Sequence, residues 1–471
     1  RRRKTAVILL ILVGSWTFLG LLYSMERMID ASLQTGILDP IPLVYRSINL
    51  VLLPLADSAH QVISVTQRHY EGAWLIGAIF LAALLLNLRT PRFYCRYVCP
   101  LGALFGVVSR FSLWHIGKKE NECVRCTLCE TNCEGACEPT NTIRLSECVL
   151  CMNCLDACGH DLIGYQTDLS ASGEIVSPDM SRRGFVLALA SGAVAVPMIR
   201  LGGLTGRNWN PVVIRPPGAL SEVDFLSRCT KCGQCMRVCP TNIIQPAGLE
   251  AGLEGLWTPI LNFRVGTSGC QLNCIACSHI CPTAAIRPIT LAEKHGREAF
   301  AEAGPLKLGC AFVDRGRCLP WAMDKPCIVC QETCPVSPKA ILVRDYFSTL
   351  RNGVVEVVRS SGGTLEIAGA SFQPGRLSTG DYFVMATTEG ESKRRPVVDN
   401  ADRILAVDPR MPFGQDLPLG ARVEIQVRLQ RPQVDPKLCI GCGVCEHACP
   451  VSGNRAIRVS AENESRSKQH S

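Results

Sequence analysis

The chain contains no Cys-x-x-Cys-His, which argues against covalent c-type haem, and it shows neither a Gly-rich dinucleotide fingerprint nor a phosphate loop. No acid, base or nucleophile constellation stands out, so no catalytic residue is assigned. A disulfide framework is absent as well. The 28 Cys recur as triplets two residues apart with a fourth three residues on, which is iron–sulfur spacing. Such thiols must be reduced when clusters are assembled, which points to loading in the cytosol. Nor does the net charge of +8 read as a nucleic-acid footprint, because much of it flanks apolar segments, as membrane anchoring requires. At 471 residues there is room for about three domains.

Arg1, Arg2, Arg3 and Lys4 precede an uncharged run, residues 5–23, that predicts a bilayer-crossing helix. Residue 1 is not Met, and residues upstream are expected. A second crossing is predicted over 72–88, and Arg89, Arg92, Arg96 and Arg110 after it place both ends of this hairpin on the cytoplasmic side. Between them, residues 41–56 are broken by Pro42, Arg46 and Pro54 and read as an interfacial or re-entrant piece. The motif CRYVCPLGALFG follows, with Cys95 and Cys99 on one helical turn as either a metal-holding pair or a structural one. Far downstream, SRRGFVLALASGAVAVPMIR, residues 181–200, keeps the order of a twin-arginine export signal. Set inside the chain, it reads as an anchor helix for an exported, cofactor-loaded domain.

Two cysteine strings lie before that stretch, in a cytoplasmic ferredoxin domain over 111–165: Cys123, Cys126, Cys129, Cys133 and Cys148, Cys151, Cys154, Cys158. In two-cluster ferredoxins the last Cys of each string binds the other string's cluster, so Cys158 is expected to join Cys123, Cys126 and Cys129, and Cys133 to join Cys148, Cys151 and Cys154. Cys137 is a candidate substitute for Cys133. Beyond a Pro- and Gly-rich linker come four more strings, each closed by Cys-Pro: Cys229, Cys232, Cys235, Cys239; Cys270, Cys274, Cys277, Cys281; Cys318, Cys327, Cys330, Cys334; and Cys439, Cys442, Cys445, Cys449. A nested exchange is the simplest expectation, with Cys449 completing the set of Cys229 and Cys239 that of Cys439, while Cys334 completes the set of Cys270 and Cys281 that of Cys318. Cys310 is a candidate substitute for Cys318. Six strings of four leave Cys95, Cys99, Cys137 and Cys310 over, so six [4Fe–4S] clusters is the natural ceiling. Zinc is the chief competing metal, disfavoured by the triplet spacing and the closing Cys-Pro. His447, inside a cluster loop, reads as a hydrogen-bond donor rather than a ligand.

Each Cys-Pro is followed by a short apolar strand candidate, at 242–244, 285–286, 340–342 and 456–459, an internal repeat of loop plus strand. Residues 351–429 lack Cys and alternate apolar with polar, which predicts a β-rich insertion between two parts of a four-cluster domain, 218–350 and 430–460. The insertion reads either as a cover for clusters or as a docking surface.

CRYVCPLGALFG, the two strings after it, and the loop carrying Asp39-Pro40-Ile41 and Tyr45-Arg46-Ser47 resemble the NapH/NosR-type membrane polyferredoxins over roughly the first 165 residues. From Ser181 on, the twin-arginine motif and the four Cys-Pro strings resemble the NapG-type periplasmic ferredoxin, CIGCGVCEHACP matching its last string. The membrane family has four spans and an earlier C-x-x-x-C-P, and the insertion here is larger than its periplasmic counterpart. The resemblance implies a membrane-anchored α+β protein, with transmembrane helices, bacterial-type ferredoxin modules and a small β-rich insertion. It implies a seat in the bacterial inner membrane, with cluster domains on the cytoplasmic and periplasmic sides. By the same resemblance, electrons pass from quinol or a cytoplasmic source to a periplasmic partner such as a cytochrome or molybdenum oxidoreductase. An accessory protein that activates a metalloenzyme, or a quinol dehydrogenase with its site near Cys95 and Cys99, are the alternatives.

Overall fold

The computed structural model describes residues 40–60, 68–89, 92–99, 109, 112–119, 123–135, 137–140, 143–167, 212–388, 391–411, 413 and 416–466. Helix α1 (Pro40–Ser47) has prolines in its first turn, where a missing N–H is tolerated, and it buries Leu43, Arg46 and Ser47 at helical i, i+3, i+4 spacing. A π-helical turn, Ile48–Leu52, adds Asn49 and Leu50 to the buried surface, and α2 (Leu53–His60) follows.

Helix α3 (Ala73–Arg89) is apolar but has 17 residues, about 26 Å at the α-helical rise against a hydrocarbon core of about 30 Å. Its N-terminal end is also committed elsewhere: Ile76 is fully buried in a core shared with Phe225, Cys229 and Met236. Among the described residues no helix is long and apolar enough to cross a membrane. The crossing expected over 72–88 is thereby corrected. With it go the membrane-anchored, transmembrane-helix fold class and the inner-membrane seat with cluster domains on two sides. The other expected crossing, 5–23, and the twin-arginine stretch, 181–200, lie outside the described residues.

The fold is mixed α and β. A small lobe pairs β1 (His115–Lys118) with a later antiparallel strand around two short helices, α4 (Leu128–Thr131) and α5 (Asn153–Ala157). The partner strand is β2 (Ile163–Gln166), with His115 opposite Gln166. Ile116 and Ile163 supply its core together with Cys129 and Cys154.

The large lobe opens with α6 (Glu222–Arg228), capped by the Ser221 hydroxyl, which accepts from the Asp224 N–H at 3.3 Å. The cluster-loop helix α7 (Gln234–Val238) leads into the hairpin β3 (Ile244–Pro246) and β4 (Pro259–Leu261), and α8 (Ala276–His279) packs back on α7. Next come β5 (Cys310–Val313), α9 (Leu319–Ala322) and α10 (Val329–Glu332).

The insertion is a closed six-stranded barrel formed by β6 (Ile341–Ser361), β7 (Thr364–Ala368), β8 (Tyr382–Thr388), β9 (Glu391–Asn400), β10 (Ile404–Val407) and β11 (Arg422–Val434). Its strand order is β10-β7-β6-β11-β8-β9. Alternate residues Val423, Ile425, Val427 and Leu429 fill the interior, as a period of two requires. Strand pairing extends past the expected 351–429 at both ends, because β6 and β11 run on together until Ile341 faces Val434. The chain therefore leaves the barrel beside the point where it entered. It then forms α11 (Val444–Ala448) and β12 (Ile457–Ser460), which pairs with β5. Of the four strand candidates, those at 242–244, 340–342 and 456–459 overlap β3, β6 and β12, and Ile286 makes an isolated bridge to Ala219.

Candidate iron–sulfur centres

A Cys-x-x-Cys-x-x-Cys loop must curl tightly enough to aim three thiols at one point, and the backbone shows how. In four of the strings the residues on either side of the second Cys have positive φ: Arg125 and Thr127, Leu150 and Met152, Lys231 and Gly233, Gly441 and Gly443. Left-handed residues are unfavourable for side chains other than Gly by roughly 1–2 kcal/mol each, so a loop that repeats them is held by what it encloses. Successive amides in such a curl form a concavity suited to an anionic group.

The thiols assemble in sets of four. Cys123, Cys126, Cys129 and Cys158 line one cavity. The thiols that bear on Cys154 are Cys148, Cys133 and Cys151. In the large lobe, Cys270, Cys274 and Cys277 share a cavity with Cys239, and Cys235 is surrounded by Cys229, Cys232, Cys277 and Cys281. Cys318, Cys327 and Cys330 share another with Cys449, and Cys439, Cys442 and Cys445 a third with Cys334.

The nested exchange is thus corrected: each string trades its last Cys with its neighbour, Cys239 for Cys281 and Cys334 for Cys449. The physical reason is the barrel. Because Ile341 and Val434 are paired, the insertion adds many residues between the third and fourth strings but almost no distance. The two modules then meet where the Cys270 N–H donates to the Cys442 carbonyl at 2.7 Å.

These arrangements fit a cubane. Zinc needs sulfurs about 2.3 Å from a single ion. The sets of Cys123, Cys270, Cys318 and Cys439 instead each line a cavity, the room that a four-iron cluster requires. Burial pushes Cys154, Cys229 and Cys318 up to about 11, and Cys277, Cys330 and Cys442 up to about 12. Such thiols ionise at neutral pH only if positive charge is supplied on the spot, as coordinated iron does.

Comparison with known proteins agrees. A 4Fe-4S binding domain family matches residues 223–245 and 432–452, and a second 4Fe-4S binding domain family matches residues 72–119. An uncharacterised protein of Methanocaldococcus jannaschii is 36% identical over 121 residues, 26% of this chain and 46% of that protein. Regulatory protein NosR of Pseudomonas aeruginosa is 35% identical over 117 residues, 24% of this chain but 16% of NosR. Ferredoxin-type protein NapG of Escherichia coli is 34% identical over 171 residues, 35% of this chain and 67% of NapG. The chain belongs to the NapG-type ferredoxin family. Likeness to NosR and to NapG together matches the two-part resemblance carried by the motifs, while the chain spans less than half of the M. jannaschii protein and about a sixth of NosR. No solved structure matches.

Several residues that shape the sites of this NapG-type protein carry no motif. Lys294, buried on the helix Leu291–His295, reaches into the second loop of the large lobe, donating to the Gln271 and Cys274 carbonyls at 2.8 and 2.6 Å with the Cys270 sulfur 3.6 Å away. Lys231 is buried beside Cys229 and donates to the Glu254 carbonyl at 2.9 Å. Arg46 from α1 is fully buried, stacked over Trp257 at 4.5 Å, and its neighbour Asn49 donates to the Cys232 carbonyl at 3.2 Å. Burial lowers Arg46 to about 10 and Lys231 to about 8, so both stay cationic at neutral pH.

The leftover thiols are placed as well. The Cys137 thiol hydrogen-bonds with Cys148 and also lies against Cys133, and the bond holds Cys148 down at about 6. Cys310 does not compete with Cys318, since the β5–β12 pairing sets it beside Cys439, whose thiolate it favours in the same way at about 6. Cys99 is buried against Leu43 and Tyr94, while Cys95 is exposed. His447 bonds through Nδ1 to the Phe263 carbonyl at 3.1 Å, a fold contact rather than a thiolate contact.

Proposed function

We propose that the chain is an electron-transfer subunit of a respiratory redox complex, holding six [4Fe–4S] clusters through the 24 cysteines of its six strings. When bound, a [4Fe–4S] cluster supplies one-electron transfer. The chain's own residues hold the thiol sets, bury those of the large lobe more deeply than those of the small lobe, space the sets and surround them with chosen charges. The observation that carries this reading is the adjacency of the four large-lobe sets. The set of Cys229 neighbours that of Cys270, the Cys270–Cys442 hydrogen bond joins the latter to the set of Cys439, and that set neighbours the set of Cys318. Such a line suits a relay and is superfluous for isolated structural metals. Quinol or another donor would feed it, and a cytochrome or molybdenum oxidoreductase would complete the complex.

Anaerobic iron and sulfide analysis with a potentiometric spectroscopic titration tests the reading. It expects roughly 24 iron per chain and several one-electron steps; zinc in the sites, or thiols that bind no iron, would overturn it. A second reading, an accessory protein that supplies electrons to mature another enzyme, accompanies the likeness to NosR, a regulatory protein by name. Co-purification in a stable stoichiometric redox complex would favour the first over the second.

A further inference from the structure

The two ends of the line of thiol sets are finished differently. At the Cys229 end, α1 and the turn after it cover the loop. At the Cys318 end stands a group of arginines on aromatic rings. Arg315 and Arg431 both lie over Trp321, at 4.4 and 4.8 Å, and Arg431 also lies over Tyr346 at 3.7 Å. Arg344 sits directly opposite Arg431 in the β6–β11 register. Arg315 and Arg344 are exposed, and Arg431 is half-buried.

Like charges directly opposed across a strand pair destabilise a sheet. Among the described residues none of these three guanidinium groups forms an ion pair with a carboxylate that would relieve the repulsion, whereas nearby Arg458 has Asp314 at 3.2 Å. The centre of the group, Arg431 and Trp321, is anchored to the backbone. Arg431 Nε donates to the Pro320 carbonyl at 3.3 Å and Trp321 Nε1 to the Pro432 carbonyl at 3.4 Å. Pro320 and Pro432 in turn line the cavity of Cys318, Cys327, Cys330 and Cys449. Fixed guanidinium groups on aromatic faces are well suited to carboxylates and steer negatively charged partners at long range.

We propose that this face, centred on Trp321 and Arg431, docks an acidic one-electron carrier protein. The proposal rests on the relay reading above. One electron would move between the carrier's cofactor and the [4Fe–4S] cluster that Cys318, Cys327, Cys330 and Cys449 would hold, in whichever direction the potentials dictate, with no bond or proton exchanged.

A plant-type [2Fe–2S] ferredoxin, chosen for its negative surface, is the probe, used with the cluster-loaded full chain. Calorimetry at low ionic strength is expected to show binding that weakens with added salt. In the triple variant R315Q/R344Q/R431Q, Kd should rise at least tenfold and the bimolecular electron-transfer rate fall in step. A control triple of exposed arginines elsewhere on the barrel, R359Q/R376Q/R403Q, removes equal charge and should change Kd less than threefold. R344Q alone, at an exposed position, should weaken binding and raise Tm, since it relieves the repulsion. Equal losses in the two triples, unchanged binding in the first, or binding of inorganic phosphate or anionic vesicles through these arginines without any of the ferredoxin, would overturn the proposal. Failure of every reductant, small or protein, to reduce the clusters would overturn it too, by removing the relay reading itself. A triple variant that reduces normally with small reductants but binds ferredoxin like wild type would leave the relay standing and remove only the docking site.

Discussion

At Gly233 and Gly443 the backbone makes the same turn, with φ of +77° and +75°, each just after the second Cys of a cluster loop, yet the two loops face different surroundings. A side chain at Gly233 would meet Leu50 at 3.2–3.4 Å, and Arg46 and Lys231 add buried positive charge, while Asn49 donates to the Cys232 carbonyl, so that the cover is built partly by a segment distant in sequence. A side chain at Gly443 would fall within the Phe263 ring of the same lobe, and backbone of Gly309 closes on Gly441. The cysteine spacing determines the turn, while the residues packed on it determine charge and tolerance to change.

Substitutions can separate the two environments. The largest effect is expected for Gly443→Ala, where left-handed strain and overpacking against a ring that cannot retreat together cost about 4 kcal/mol. Iron analysis should then show roughly one cluster lost, alongside reduced denaturation midpoints.

Next comes Glu222→Gln, beneath the first loop. Burial opposes ionisation of Glu222, but the guanidinium groups of Arg215 and Arg466, the latter at 2.8 Å, outweigh it and hold the carboxyl at about 2. A carboxylate with a lowered folded pKa stabilises above its unfolded value and loses that contribution as pH falls through the folded one. The variant should therefore be about 2 kcal/mol less stable at neutral pH, with the gap narrowing below pH 4.5 as the pH approaches 2. Denaturant unfolding of both proteins across that range checks the sign.

Gly233→Ala should be milder, about 1–2 kcal/mol, because Leu50 is a flexible neighbour. The cluster should stay, and hydrogen exchange around residues 46–50 should quicken as α1 loosens. The smallest effect is electrical. Arg46→Leu or Lys231→Met removes a buried cation that favours the more negative, reduced cluster, so one potential should fall by about 60 mV or more while that of the Gly443 loop holds. Equal shifts in both would erase the distinction between the loops.

The cysteine strings were legible because ligand spacing is a local constraint, and so was the barrel's alternation, which follows from a period of two. The exchange partners were not. They depend on where β6 and β11 return the chain, and only the register of Ile341 with Val434 makes strings three and four neighbours. Lys294, Lys231 and Arg46 were equally hidden, since a buried cation is specified by carbonyls and rings that other segments bring to it. The run over 72–88 misled for a related reason. An apolar helix can be consumed by a protein core as readily as by lipid, and Ile76 is buried against Phe225 and Met236.

The central claim, that neighbouring strings of the large lobe exchange their last cysteines, is tested most directly by iron content in paired variants. Cys229→Ala should lose roughly four iron, Cys229→Ala with Cys281→Ala no more than that, and Cys229→Ala with Cys449→Ala roughly eight. Eight lost with Cys281→Ala and four with Cys449→Ala would restore the nested pairing and contradict the account.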